Sequence, residues 1–204
     1  LGLCAYFLIV GSVYFYLSSK QIIRWPFHTV HATSEAYHTT VEYFPAFVVA
    51  LLSLVWLRLS DIPITELFRW KRLSKVFYLG LIGSIIYSVH MLKPIHFGVH
   101  VYFLWPPVLI LSILNAFTEE IIFRVVLFSL LKKLTDKTTV SNIIQSTAYA
   151  AIHIFIAGPL FAAQAFALGI ALGIIMEKNK SVIPCIVCHF CVDLGAIGYP
   201  ILCS

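Results

Sequence analysis

Apolar residues run through this chain in long blocks separated by short polar segments. The blocks have the length of helices that cross a bilayer, where about 20 residues are needed per span. They lie at 1–17, 43–59, 76–92, 103–131, 140–157, 160–176 and 182–202. The pattern predicts an all-α fold, a multi-pass integral membrane bundle of about seven transmembrane helices, with 1–204 forming one membrane domain. Pro106 and Pro107 interrupt the start of the fourth block, which is therefore expected to begin as a separate piece. Leu1–Leu17 reads as a first span rather than a signal-peptide core. No basic stretch precedes it, and Tyr14, Phe15 and Tyr16 make a poor cleavage site. In the sixth block Ala165, Gly169 and Gly173 form a small-residue stripe that lets helices pack closely.

Composition agrees with a bilayer as solvent. Hydrophobic residues make up 60% and charged residues 11% of the chain, and mean hydropathy is +0.94. Soluble domains carry about 45–50% apolar and about 25% charged residues. The net charge of +5 does not signal nucleic acid, because the basic residues sit in short loops between apolar blocks. Segments 58–75, 132–139 and 177–181 hold Arg58, Arg69, Lys71, Arg72, Lys75, Lys132, Lys133, Lys137, Lys178 and Lys180. The alternate segments hold only Lys20, Arg24 and Lys93. The positive-inside rule then places the first set and the N-terminus in the cytoplasm, and the C-terminus outside. Trp25, Trp56, Trp70 and Trp105 lie near span ends, as interfacial anchors do. Five cysteines, most of them in or beside apolar spans, make no disulfide framework.

Ionisable groups inside a span are costly against lipid and usually face a protein interior where they have work to do. Here they are Glu119, Glu120 and Arg124 in the fourth block, His153 in the fifth, and His189 and Asp193 in the seventh. Glu120 and Arg124 are spaced to pair on one helix face, as are His189 and Asp193. Gln145, Tyr149 and His153 form a polar stripe on the fifth block. Glu119 is turned about 100° from Glu120 and has only Asn115 one turn away, so its partners must come from another helix. At about 1.5 Å per residue, Glu119, His153 and Asp193 each lie ~18–20 Å from the cytoplasmic end of their spans. His189 is one turn shallower. Three helices thus bring polar groups to one level. A carboxylate beside a histidine can hold and deprotonate water, and a second histidine with a polar neighbour can stabilise an oxyanion. No Ser or Cys pairs obviously with a histidine, so hydrolysis by activated water fits better than covalent catalysis.

These residues resemble the motifs of a known family. Glu119-Glu120-Ile121-Ile122-Phe123-Arg124 resembles the EExxxR motif of the CPBP intramembrane proteases, the CAAX-protease and bacteriocin-processing family. Tyr149-Ala150-Ala151-Ile152-His153 resembles its FxxxH motif, and His189-Phe190-Cys191-Val192-Asp193 its HxxxN or HxxxD motif. All three stand in the family's order over 115–195, within a motif-bearing core of about 103–202. The resemblance implies that Glu119 and His153 activate the water and that His189 and Asp193 form the oxyanion site. It implies that Glu120 and Arg124 hold the architecture. Tyr149 replaces the family's Phe, a change expected to be harmless. Asp193 stands where the prenyl-protein proteases have Asn, and an ionised Asp cannot donate to an oxyanion. It is either protonated or, as we expect, orients His189.

The implied substrate is a membrane-associated peptide or protein, with prenylation an option. The implied location is a plasma membrane if bacterial or the endoplasmic reticulum if eukaryotic. The compact length leans towards the bacterial case. The residue set could also ligate zinc through two His and one carboxylate, but the expectation is no cofactor and no metal. Nothing in the pattern specifies an oligomeric state. The main alternative is a proton- or ion-coupled transporter, which predicts a polar path to both faces; a non-catalytic immunity or scaffold protein is another. Cys185-Ile186-Val187-Cys188-His189 also matches a c-type haem attachment pattern, but it begins a span at the wrong end for that chemistry. Cys185, Cys188 and Cys191 read as packing residues. His28, His31, His38, His90, His96 and His100 fall on the predicted outer side and read as interfacial rather than as a metal site.

Overall fold

The computed structural model describes residues 44–59, 64–93, 95 and 99–202. The first predicted span lies outside them, as do His28, His31, His38, His96, Trp25 and the side chain of His100. The described residues are helical, without a strand among them. Helix α1 is Phe44–Leu59, α2 Ile64–Leu67, α3 Lys75–Leu92 and α4 Val99–Glu120. A π-helical segment, Ile121–Phe128, joins α4 to α5, Ser129–Thr135; α6 is Thr138–Asn179, α7 Ile183–Ala196 and α8 Gly198–Leu202. The remaining apolar blocks thus all become helices.

One expectation is corrected. The fourth block does not start as a separate piece, since α4 runs through Pro106 and Pro107. In a bundle, neighbouring groups and small local adjustments re-satisfy the carbonyls that proline frees. The fifth and sixth blocks are separate helices as expected, the two arms of α6, parted at Gly158. The break is one residue, Gly158, at φ 85° and ψ −177°, followed by Pro159. A positive φ there is available cheaply only to glycine, and Pro159 cannot donate the bond that would carry the helix across.

Helix ends are set locally. Ser74 caps α3 by accepting the Phe77 amide at 3.4 Å, and Asp136 takes a left-handed conformation at φ 52° to close the short turn between α5 and α6. Lys132 of α5 pairs at 2.8 Å with Glu177 near the end of α6, and Lys180 pairs with the same carboxylate.

Packing is inverted relative to a water-soluble bundle. Helix α3 buries Ser84 and Ser88 while Leu79, Ile82, Ile86 and Val89 point outward. That arrangement suits lipid, where helices associate through small residues, close packing and hydrogen bonds rather than through a hydrophobic drive. Ser88 donates to the Cys191 carbonyl of α7. Beside it, a Cβ on Gly195 would sit 2.7 Å from the Ser88 Cα, so α3 and α7 touch backbone to backbone. The small-residue stripe of α6 behaves as expected: Cβ atoms on Gly169 and Gly173 would meet Ser146 and Asn142 of the facing arm. Asn142 and Gln145 then donate to the carbonyls of Ile170 and Gly169, at 3.1 Å each, and clamp the two arms. Three helical stretches, Lys75–Leu92, Gly158–Asn179 and Ile183–Leu202, are long and apolar enough to cross a membrane.

Candidate active site

The polar level predicted from helix spacing is one connected cluster. Glu119 and Glu120 end α4 where the backbone passes into the π-helical segment. Such wide turns are uncommon and recur at functional sites. The α7 helix presents His189 between them. Its Nδ1 meets Glu120 Oε1 at 2.7 Å, and its Nε2 faces Glu119 Oε2 at 3.6 Å. The two carboxylates, though on different helix faces, hold opposite edges of one imidazole. Glu120 Oε1 also pairs with Arg124 Nη1 at 3.1 Å, with both side chains fully buried. The guanidinium carbon lies 4.8 Å from the centre of the Tyr149 ring, a cation–π contact that helps offset its desolvation.

On the other side of His189, Asp193 Oδ1 stands 3.6 Å from Nε2. Its second oxygen accepts from Asn115 Nδ2 at 2.9 Å. Asn115 is therefore the polar partner of Asp193 as well as the neighbour of Glu119. The Tyr149 hydroxyl reaches His189 Nε2 at 3.3 Å. His153 joins through α6: its Nδ1 lies 2.8 Å from the Tyr149 carbonyl and its ring packs 4.3 Å from the Tyr149 ring and 5.6 Å from Phe161, centre to centre. A carbonyl only accepts, so His153 Nδ1 carries the proton and Nε2 is left as an acceptor. Gln145, by contrast, belongs to the clamp between the arms of α6 and not to the site.

These groups open on a cavity of about 460 Å³. Glu119, His153, His189, Asp193, Asn115 and Tyr149 line its polar end. The remaining wall is mostly apolar or small, from Gly80, Gly83, Ser84 and Tyr87 of α3 and from the second arm of α6. Sequence reasoning did not find the α3 wall. Its residues look like any packing face, and only Gly83 hinted at open space. Gln164, an amide within an apolar block, was the other legible signal.

Among the described residues no group of three His, Cys, Asp or Glu side chains is arranged to hold an ion. His189 is already bonded at Nδ1, and His153 reaches the cavity from a separate wall. Cys185 and Cys188 are free thiols in the core, with Cys185 Sγ donating to the Leu172 carbonyl at 3.2 Å. A haem attached through them would need them exposed, so that alternative fails.

Residues 100–195 match the family described as type II CAAX prenyl endopeptidase Rce1-like. That stretch contains all three motifs, so the resemblance read from them holds. No curated protein and no solved structure matches. The family match and the apolar helices together make this an integral membrane protein.

Proposed function

From the premise that residues 100–195 are those of a Rce1-like type II CAAX prenyl endopeptidase, we propose that the protein is an intramembrane endopeptidase. It hydrolyses a peptide bond in a membrane-associated, CAAX-type protein or peptide with a water activated by Glu119 and His153. The observation that carries this reading is the cavity itself. One space of about 460 Å³ brings Glu119, His153, His189 and Asp193 together and is lined elsewhere mostly by small and apolar residues, with Ser84, Tyr87 and Gln164 among them. Such a wall accepts a lipid-anchored segment and excludes bulk water from the reacting bond.

Water held between the Glu119 carboxylate and His153 Nε2 loses its proton to Glu119 as it attacks the carbonyl carbon. The carbonyl oxygen takes up the electron pair on the side of His189 and Asp193. When the intermediate collapses, the C–N bond breaks and Glu119 returns the proton to the leaving nitrogen. Glu120 and Arg124 keep His189 in place from behind. The chain spans the membrane several times, and the cavity opens towards the cytoplasmic half.

The test is cleavage of a fluorogenic farnesylated CAAX peptide by purified protein in lipid nanodiscs. The native protein is expected to cut it. Glu119→Gln and His153→Ala are expected to lose at least ~10²-fold in kcat while keeping the native melting profile. Native protein that cuts no membrane peptide, with either variant changing proton flux in liposomes, would replace the protease by a transporter.

A further inference from the structure

The oxyanion site of this reaction is short of donors. At the polar end of the cavity the Asn115 amide gives one N–H to Asp193 at 2.9 Å. His153 Nδ1 is spent on a backbone carbonyl and His189 Nδ1 on Glu120. Glu119 and Asp193 as carboxylates only accept. His189 Nε2 and the Tyr149 hydroxyl lie 3.3 Å from each other, and the hydroxyl also bonds to Glu119. Nε2 is ringed by the oxygens of Glu119 and Asp193, both at 3.6 Å. The phenol hydroxyl of Tyr149 is therefore a donor next to the place where negative charge would develop.

Its position is well fixed. Tyr149 is almost fully buried, with its ring edge-on to Phe123 at 4.9 Å and beneath the Arg124 guanidinium at 4.8 Å. Only the O–H proton is free to turn about its bond to the ring.

We propose that Tyr149 is a catalytic residue whose hydroxyl donates to the carbonyl oxygen in the tetrahedral intermediate, the part that Asp193 as a carboxylate cannot play. This rests on the hydrolytic reading above. As water attacks, the carbonyl π pair moves onto oxygen and the phenol proton turns from its neighbours towards it. When the carbonyl re-forms and the C–N bond breaks, the proton turns back. Tyr149 keeps its proton throughout; the one transferred passes from water to Glu119 and on to the leaving nitrogen.

The geometry also supplies the control. In Asp193→Asn the side-chain carbonyl keeps the bond from Asn115. The new NH2 then stands where Oδ1 faces the cavity beside His189 Nε2, and a donor returns to the oxyanion site by another route.

The experiment measures kcat and KM on the farnesylated CAAX peptide for native protein, Tyr149→Phe, Asp193→Asn and the double variant, with melting curves for each. Tyr149→Phe preserves the ring and its packing and is expected to melt as native does. Its kcat is expected to fall ~10²–10³-fold, the usual cost of one oxyanion donor, with KM within about twofold of native. The double variant is expected to recover at least ~10-fold over Tyr149→Phe alone. Tyr149→Phe within about threefold of native kcat overturns the assignment while leaving the protease reading standing. A loss that Asp193→Asn does not relieve also overturns it, because the hydroxyl would then be structural. Native protein without cleavage overturns both.

Discussion

Arg124 is costly to place. Its side chain is fully buried, and its Nε and Nη2 find no hydrogen-bond partner. Glu120 and the face of Tyr149 carry most of its compensation. Removing one member of such a pair strands the other charge, which costs about 3–5 kcal/mol, whereas removing both together costs far less. Arg124→Met is therefore expected to lower thermal stability in detergent by that amount. Glu120→Gln/Arg124→Met should regain much of it, although Gln binds His189 more weakly. Equal losses in the single and double variants would show that the two do not act as a pair. At this scale the sequence was informative wherever an ionisable residue interrupted an apolar run, which is why Glu119, Glu120, Arg124, His153, His189 and Asp193 could all be picked out. It placed Tyr149 on the polar stripe and in the second motif as site support, but nothing in the spacing reveals where its hydroxyl points.

Helices were legible because a bilayer demands a contiguous apolar length, and that is a property of composition. Their joints were not. Gly158-Pro159 reads equally as a loop or as a kink, since both use a positive φ and a missing amide. The π-helical turn at Ile121–Phe128 leaves no trace in the apolar pattern around it. Close approach between helices lies between these cases, visible as small residues but not as a distance. The α3–α7 contact makes the point testable. A Cβ on Gly195 would lie 2.7 Å from the Ser88 Cα and 3.1 Å from Met91 Cβ, and backbone cannot swing aside as a side-chain tip can. Gly195→Val is expected to cost roughly 1–3 kcal/mol and to impair cleavage, because α7 carries His189 and Asp193. Melting temperature and kcat measured together test this; a variant that melts as native does would mean that the two helices separate without penalty.

Among the described residues, the helices turn lipid-compatible surface outward, and their buried polar groups clamp helices together or line the cavity. The α3 wall of that cavity shows how its width is set. A Cβ on Gly80 would meet Ile175 Cδ1 at 2.6 Å, whereas one on Gly83, a single turn on, would meet nothing within 4 Å. Gly80 is small because a neighbouring helix presses on it. Gly83 is small beside open space, so nothing in the packing requires a glycine there, and a larger side chain would take volume from the cavity rather than from the fold. Gly83→Leu should therefore leave thermal stability at or above the native value, since a helical glycine is replaced by a better helix former. It should also discriminate against bulky substrates. Pocket changes of a few methylenes shift specificity by about 1–3 kcal/mol. The ratio of kcat/KM for CAAX peptides with large aliphatic residues to those with small ones should then fall about 10-fold or more. Gly83→Ala, with one added carbon, should move the ratio far less. If Gly83→Leu leaves the ratio unchanged and stability intact, the substrate does not pass along the α3 wall, and the second arm of α6 becomes the surface that selects it.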